Sequence, residues 1–385
     1  MHLSALKLSN FKSYADLDVD FCSNVNCLVG NNGVGKTNLL DAVYYLSFCK
    51  SYFNAVDTQN IRQGEEFFAI HGTYKSSDPG LGEGSARAEE TLPVSCIVRK
   101  NQPKQLKWCK KVCKTFSEHI GRIPLVIISP VDQQLILGGS EVRRKFIDGV
   151  ISQTDKGYLD HLLQYQKALD QRNRLLKQFY DDRQWDEAAI SVWDDQLVRH
   201  GQILYDGRRS FLNDFLPLFA EYFSWIAGSS EQAGVEYLTH ADTPLQQQLV
   251  EARQSDKYAL YTTVGPHKDD LEFTIGPFSV KRFGSQGQQK TFMMALKLAQ
   301  FEYIYRRRGV KPILLLDDIF DKLDLLRVTQ LIQLVGSDRF GQVFLTDTQP
   351  GRVEQVFNQI PQVDHRIFTV TPGTLEPTNN STLNN

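Results

Sequence analysis

A chain of 385 residues, 41% hydrophobic and 23% charged, has room for one large or two ordinary domains around a substantial core and reads as soluble and globular, not disordered. Its formal net charge of -2 excludes recognition of nucleic acid by bulk charge, so any such function must use a local patch. No apolar run approaches the roughly 20 residues of a membrane span, and residues 1–7 lack a signal-peptide pattern, so the sequence predicts a cytoplasmic protein without a membrane partner.

In chain order, Leu17, Val19 and Phe21 alternate with Asp16, Asp18 and Asp20, predicting a half-buried strand paired with one around Leu6 and Leu8. Residues 24–29 predict a short buried strand. Directly after it, Gly30-Asn31-Asn32-Gly33-Val34-Gly35-Lys36-Thr37 fills the pattern G-x-x-x-x-G-K-[ST] without a gap, and Asn38, Leu39, Leu40, Val43 and Leu46 continue into a helix. The three glycines let backbone N–H groups turn inward around an anion, and the helix adds its positive end. Lys36 would reach the outer phosphates and Thr37 would ligate Mg2+. A glycine-rich turn that binds nothing would leave this strand, loop and helix context unexplained.

Strands are predicted at 67–74 and 92–98, separated by a mobile surface loop over 76–90 that is rich in Gly, Ser and Glu. The six cysteines, Cys22, Cys27, Cys49, Cys96, Cys109 and Cys113, suit buried thiols in a reducing compartment. Cys109 and Cys113 are four apart, which on a helix could suit a metal, but no second pair matches them. Residues 124–129 form the apolar run of a buried parallel strand.

Helical periodicity dominates from about 141 to about 255. One helix carries Leu159, Leu162, Leu163, Leu169, Leu175, Leu176 and Phe179; a second carries Ile190, Trp193, Leu197, Leu204, Phe211, Phe215 and Leu218. The two are expected to pack as an antiparallel lobe. Thr243-Pro244 predicts a helix start with Thr as N-cap. Strands follow at 258–264 and 271–275, a long helix at 285–308, a strand at 313–316, a helix at 325–335 and strands at 343–346 and 366–370. The tail over 372–385 is expected to be disordered. A nucleotide-binding head over 1–140 and 257–371 is thus split by a helical insertion at 141–256.

The apolar strand ending in Asp317-Asp318 has the form of a Walker B element: Asp317 would hold Mg2+, and Asp318 would position or deprotonate the attacking water. Ser285-Gln286-Gly287-Gln288-Gln289 opens the long helix and resembles the signature of ABC-type ATPases, with a hydroxyl and a bare N–H suited to a γ-phosphate. An ordinary capping serine is the alternative. Phe320-Asp321-Lys322-Leu323-Asp324 stands where an Asp loop follows Walker B.

With these go Asn10-Phe11-Lys12-Ser13-Tyr14, Ser129-Pro130 before Gly138-Gly139-Ser140, Arg143-Arg144-Lys145-Phe146-Ile147-Asp148, Gln171-Arg172-Asn173-Arg174-Leu175-Leu176-Lys177 and Gly265-Pro266-His267-Lys268-Asp269-Asp270-Leu271. Together they make the chain resemble the RecF family of DNA-repair ATPases, related to SMC heads, from the N-terminus to about residue 347. The resemblance implies an α/β ABC-type ATPase head, a mixed sheet with a phosphate-loop core and an antiparallel β subdomain, interrupted by a helical arm-like domain. It also implies ATP with Mg2+, an ATP-dependent head-to-head homodimer on single-stranded or gapped duplex DNA, and joint action with RecR and RecO to direct RecA. A Q-loop is implied near 132–134. Where many ABC ATPases place a switch histidine, this chain reads Leu345-Thr346-Asp347-Thr348. Asp318 replaces the usual Glu and is shorter by one methylene, roughly 1.5 Å, so slow hydrolysis is expected.

The densest basic run, Arg99, Lys100, Lys104, Lys107, Lys110, Lys111 and Lys114, interleaved with Trp108, is either a DNA surface or a solvated charged face. Arg306, Arg307 and Arg308 compete for that role, although a helix dipole explains them equally. Three other classes share a phosphate loop. A transporter ATPase would fit a much shorter lobe between phosphate loop and signature, a small-molecule kinase would need no signature, and a structural clamp would bind ATP without hydrolysing it.

Overall fold

The computed structural model describes residues 1–76, 90–228, 231–318, 339–360 and 363–378. The expected loop at 76–90, the Asp loop and the helix at 325–335 therefore lie outside the described residues, apart from the ends of that loop. The chain divides into two compact units, residues 1–130 with 304–385 and residues 131–303.

The first unit begins with β1 (His2–Phe11) and β2 (Tyr14–Asp20), whose alternating burial follows the sequence pattern and whose register pairs Leu6 with Val19 and Leu8 with Leu17. Next come β3 (Val25–Val29) and α1 (Lys36–Phe48), then β4 (Phe67–Ser76), β5 (Glu90–Arg99), β6 (Gln105–Trp108), β7 (Lys111–Val112) and β8 (Leu125–Ile128). Two sheets result among the described residues. The first is antiparallel in the order β2-β1-β4-β5-β6-β7.

The second unit contains α2 (Gln134–Leu137), α3 (Ser140–Thr154), α4 (Lys156–Asp182), α5 (Glu187–Ala227), β9 (Ala233–Leu238), α6 (Leu245–Glu251), α7 (Arg253–Ala259), β10 (Asp270–Ile275), β11 (Phe278–Ser279) and α8 (Val280–Phe283). α9 (Gln286–Arg308) follows. The chain then supplies β12 (Ile313–Leu316), β13 (Val343–Asp347), α10 (Pro350–Gln359), β14 (His365–Thr371) and β15 (Thr374–Pro377) to the first unit. Its second sheet runs β15-β14-β3-β13-β12-β8, parallel except at β15.

α1 is buried on nearly every side because it contributes Leu39, Leu40, Val43 and Leu46 to one core shared with Leu6, Phe68 and Val94 of the first sheet and Leu28, Leu125 and Phe344 of the second. β3, β8, β12 and β13 are buried along their whole length, as the unbroken apolar runs required. In the other unit α4 and α5 form a helical pair on which Tyr158, Tyr165, Leu176, Ile190, Leu204 and Phe211 turn inward, while Leu163 is 44% exposed and off the buried face.

Several expectations are corrected. The predicted strand over 258–264 begins instead inside α7 and continues as a turn, because its backbone is claimed by side chains. Thr262 N–H donates to Asn173 Oδ1 at 2.7 Å and Thr263 N–H to Asp256 Oδ1 at 2.8 Å, so neither is available to a ladder. β9 interrupts the stretch read as helical and pairs antiparallel with β10. The tail expected to be disordered from Pro372 contains β15, whose Leu375 packs opposite Val370 after a turn at Gly373 with φ 81°. The helix expected at Thr243-Pro244 starts at Leu245 with Pro244 as N-cap. Cys109 and Cys113 are not on a helix: Cys109 and Lys110, at φ 48° and 67°, form the two-residue turn between β6 and β7.

Candidate nucleotide-binding site

In a parallel sheet the C-terminal strand ends gather on one edge, and here β3, β13 and β12 are neighbours in that order. The loop after β3 is shaped by what surrounds it. A Cβ on Gly30 would come 2.4 Å from the Val370 carbonyl oxygen of β14, and the Gly30 N–H donates to the Asp347 carbonyl at the end of β13. Gly33 and Gly35 sit at φ 81° and 117°, a region closed to most side chains, and Gly35 is the N-cap of α1. Asn31, Asn32 and Gly33 are exposed at the tip, with Val34 half-buried behind them.

Lys36 folds back over this loop and donates to the carbonyls of Gly30 at 2.6 Å and Asn31 at 2.8 Å. Burial lowers its pKa, while Asp318, Asp317 and Asp347 pull the other way. The Thr37 hydroxyl straddles the Asp317 carboxylate at 3.0 and 3.1 Å. Burial raises the pKa of Asp317 against its hydrogen bonds from Thr37 and Thr346. A hydroxyl and a carboxylate, both hard oxygen donors, are the chemistry Mg2+ takes.

The structure adds residues that sequence motifs left without a role. Ser13 accepts from Asn38 Nδ2 at 2.9 Å, and Tyr14 donates to the Gly35 carbonyl, so the Asn10–Tyr14 stretch braces the loop and the start of α1. Lys12 pairs with the fully buried Asp41 of α1 at 2.6 Å. Thr346 Oγ1 donates to Asp317 at 3.1 Å and accepts the Asp318 N–H at 2.8 Å. Asp318 itself stands at φ 50°, the left-handed region that few residues other than Gly, Asn and Asp adopt. Asp347 is closed by Arg352, whose guanidinium meets both carboxylate oxygens. Thr346 is brought to Asp317 by the parallel pairing of β13 with β12, a long-range contact that no local sequence pattern signals.

In the other unit, Ser285 and Gln288 form a reciprocal capping box: Gln288 N–H donates to Ser285 Oγ at 3.2 Å, and Ser285 N–H to Gln288 Oε1 at 2.9 Å. The capping role weighed against the signature is therefore present, and it leaves Ser285, Gln286 and Gly287 exposed. A Cβ on Gly287 would meet only Ser285 Oγ, at 3.9 Å, so nothing within the chain demands glycine there. Of the region expected to hold a Q-loop, Asp132 pairs with Lys297 at 2.6 Å and Gln133 reaches Gln289 at 3.4 Å.

The family-like motifs of this unit form ionic networks. Arg208, 2% exposed, donates to both oxygens of Asp148, to the Pro266 carbonyl and to Asp269. Arg143 grips Asp270 with two bonds of 2.6 and 2.9 Å. Arg172 joins Asp194 and Asp256. His267 lies between the Tyr165 hydroxyl and the Thr262 carbonyl, and burial pushes its pKa down to about 4. These contacts give His267, Asp269 and Asp270 a structural role.

The basic run is only partly a free surface. Lys104 is half-buried against Asp57 at 2.7 Å, donates to the Cys49 carbonyl and lies over the Phe116 ring, so its charge is already used within the fold. Lys100 pairs with Glu66, and Trp108 is buried beneath Arg122. Lys107 is half-buried, whereas Lys110, Lys111 and Lys114 are exposed around the β6–β7 turn. Arg308 donates to the Gly121 carbonyl.

Against known proteins, the RecF/RecN/SMC N terminal domain matches residues 2–367. A DNA replication and repair protein RecF from Flavobacterium johnsoniae is 46% identical over 371 residues, covering 96% of this chain and 100% of that one. One from Parabacteroides distasonis is 44% identical over 378 residues, with 98% and 99% covered. Among solved structures, the recombination mediator protein RecF-ATPrS in the RecFOR pathway superposes with a TM-score of 0.86 at 27% identity, covering 98% of both chains. An Smc head domain from Pyrococcus furiosus, at TM-score 0.56 and 16% identity, shares the fold.

Proposed function

The chain belongs to the RecF family, and from that premise we propose that it is an ATP-dependent DNA-binding repair protein that closes as a head-to-head homodimer on single-stranded or gapped DNA. In this reading it acts with RecO and RecR to promote RecA loading. The observation that carries the proposal is the bond from Thr37, after β3, to Asp317, at the end of β12, with Lys36 folded over a glycine loop whose N–H groups can surround phosphates. A structure of a RecF-ATP assembly, which superposes with a TM-score of 0.86, supports the same ligand.

Lys36 exchanges its loop carbonyls for the β- and γ-phosphate oxygens of ATP. Mg2+ held by Thr37 and Asp317 would neutralise charge on those oxygens. Asp318 accepts a proton from the attacking water, whose oxygen bonds to the γ-phosphorus while the bridging bond breaks and leaves its electron pair on ADP. Ser285 and Gly287 of a second copy, exposed at a helix N-terminus, cap the γ-phosphate, so binding nucleotide also joins two molecules. The short carboxylate of Asp318 makes hydrolysis slow; turnover of about ten per second or more without any partner would contradict this.

The test is light scattering on a sizing column with and without ATP and Mg2+. Dimer is expected only with both, and Ser285→Arg should bind nucleotide yet remain monomeric. A wild-type protein that stays monomeric with bound ATP would sink the proposal. Asp318→Asn separates an enzyme, in which it traps the dimer, from a clamp, in which it changes little.

A further inference from the structure

The end of β13 places one hydroxyl between the two acidic residues that end β12. Thr346 is fully buried, and its Oγ1 donates to Asp317 Oδ1 at 3.1 Å while accepting the Asp318 N–H at 2.8 Å. A threonine hydroxyl has one proton, and here it is directed to the carboxylate, leaving a lone pair for the amide. The same Asp317 carboxylate takes the Thr37 hydroxyl from the phosphate-loop side. Asp317 is therefore held from both flanks, and Thr346 is the flank that also reaches its successor.

That second bond falls where the chain turns. Asp318 has φ 50°, the left-handed region that few residues other than Gly, Asn and Asp adopt, and the bond on its own amide holds it there. Asp317 N–H donates to the Ile128 carbonyl, so the strand is anchored up to Asp317, and the Thr346 hydroxyl is the acceptor for the next amide. The backbone turn at Asp318 sets the direction of its carboxylate. With a side chain one methylene short of Glu, that direction decides whether a water on the γ-phosphorus falls within reach, about 2.6–3.2 Å.

We propose that Thr346 is a positioning residue for ATP hydrolysis: through one hydroxyl it orients the metal-holding Asp317 and locks the backbone that aims Asp318 at the attacking water. Both bonds of its hydroxyl go to the two acidic residues, the proton to Asp317 and the lone pair to the Asp318 N–H. The inference rests on the ATPase reading of the site. A hydroxyl in this place affects the chemical step more than nucleotide capture, because Lys36 and the loop N–H groups are left intact.

The experiment compares the full-length protein with Thr346→Val, which keeps the β-branched shape but loses the hydroxyl, and Thr346→Ser, which keeps the hydroxyl. Single-turnover hydrolysis, ATP affinity with and without Mg2+, and thermal unfolding are measured for each. Thr346→Val is expected to slow hydrolysis about tenfold or more while ATP affinity without Mg2+ stays within about threefold, and Thr346→Ser should recover most of the rate. Wild-type hydrolysis with an unaltered rate in Thr346→Val overturns the inference and leaves the ATPase reading standing. Equal loss in both variants, or loss of affinity in step with rate, assigns Thr346 to strand packing and also overturns it. A wild-type protein that binds ATP but never hydrolyses it removes the ATPase reading and the inference together.

Discussion

In the helical unit, Arg208 directs its guanidinium onto Asp148, Asp269 and the Pro266 carbonyl, while at the strand ends of the other unit Lys36 leans on loop carbonyls and Asp317 on two hydroxyls. Both sets are buried charges, but only the first is held chiefly by opposite charges. A buried ion gripped by counter-ions belongs to the scaffold, because removing it strands them. A buried ion held by neutral groups that a ligand can replace belongs to a site. Sequence motifs alone do not separate the two: Arg143–Asp148 and Gly265–Leu271 look as family-specific as the phosphate loop, yet they build the matched network.

The largest effect expected from this contrast is on Arg208→Met. It should destabilise the helical unit by about 3–5 kcal/mol, read as a lowered midpoint in urea, because Asp148 and Asp269 lose their cation. A midpoint within error of wild type would erase the distinction. Lys36→Met should do the opposite, weakening ATP binding about a hundredfold in a fluorescent-nucleotide titration without lowering the unfolding temperature. Burial lowers the pKa of Lys36, so its charge opposes folding below the folded pKa, and the substitution relieves that cost.

Asp317→Asn sharpens the comparison through pH. A carboxyl raised by burial opposes folding while ionised, fully above its folded pKa, and that opposition fades as the pH falls towards the ordinary 3.8. The variant should therefore unfold at higher temperature than wild type near pH 7, with the difference shrinking towards pH 4; a difference independent of pH would contradict the assignment. The smallest effects are expected in the basic run. Lys104→Met should cost stability, about 1–2 kcal/mol, and leave the salt dependence of DNA binding unchanged, since its charge is matched by Asp57. Lys110→Gln with Lys114→Gln should do the reverse and reduce the salt slope by about one per phosphate contact. An unchanged slope would make the β6–β7 turn a solvated face.

How far the sequence could be read follows from the same physics. β3, β8, β12 and β13 were legible because a strand buried on both faces has to be uniformly apolar, and the glycine loop because its backbone geometry admits few residue types. The turn after α7 was misread because Tyr258, Leu260, Tyr261 and Val264 have strand propensity, whereas Asp256 and Asn173 take the backbone amides that a strand would use. Thr346 carries no local signal, since its importance lies in a neighbour 29 residues away. Lys104 counted as one cation among several until its partner Asp57 was located. Local pattern reports which face is buried; it does not report which charges meet.

The order of the parallel sheet also bears on when this protein first becomes able to hold a ligand. β3 lies between β13 and β14, and the Gly30 N–H and the space above its Cα are defined by Asp347 and Val370. The loop is synthesised before residues 343–371, which make its floor. Shaping of the loop should thus wait until those strands emerge: a chain stalled before residue 343 carries the whole glycine loop without the Asp347 and Val370 backbone that sets its course.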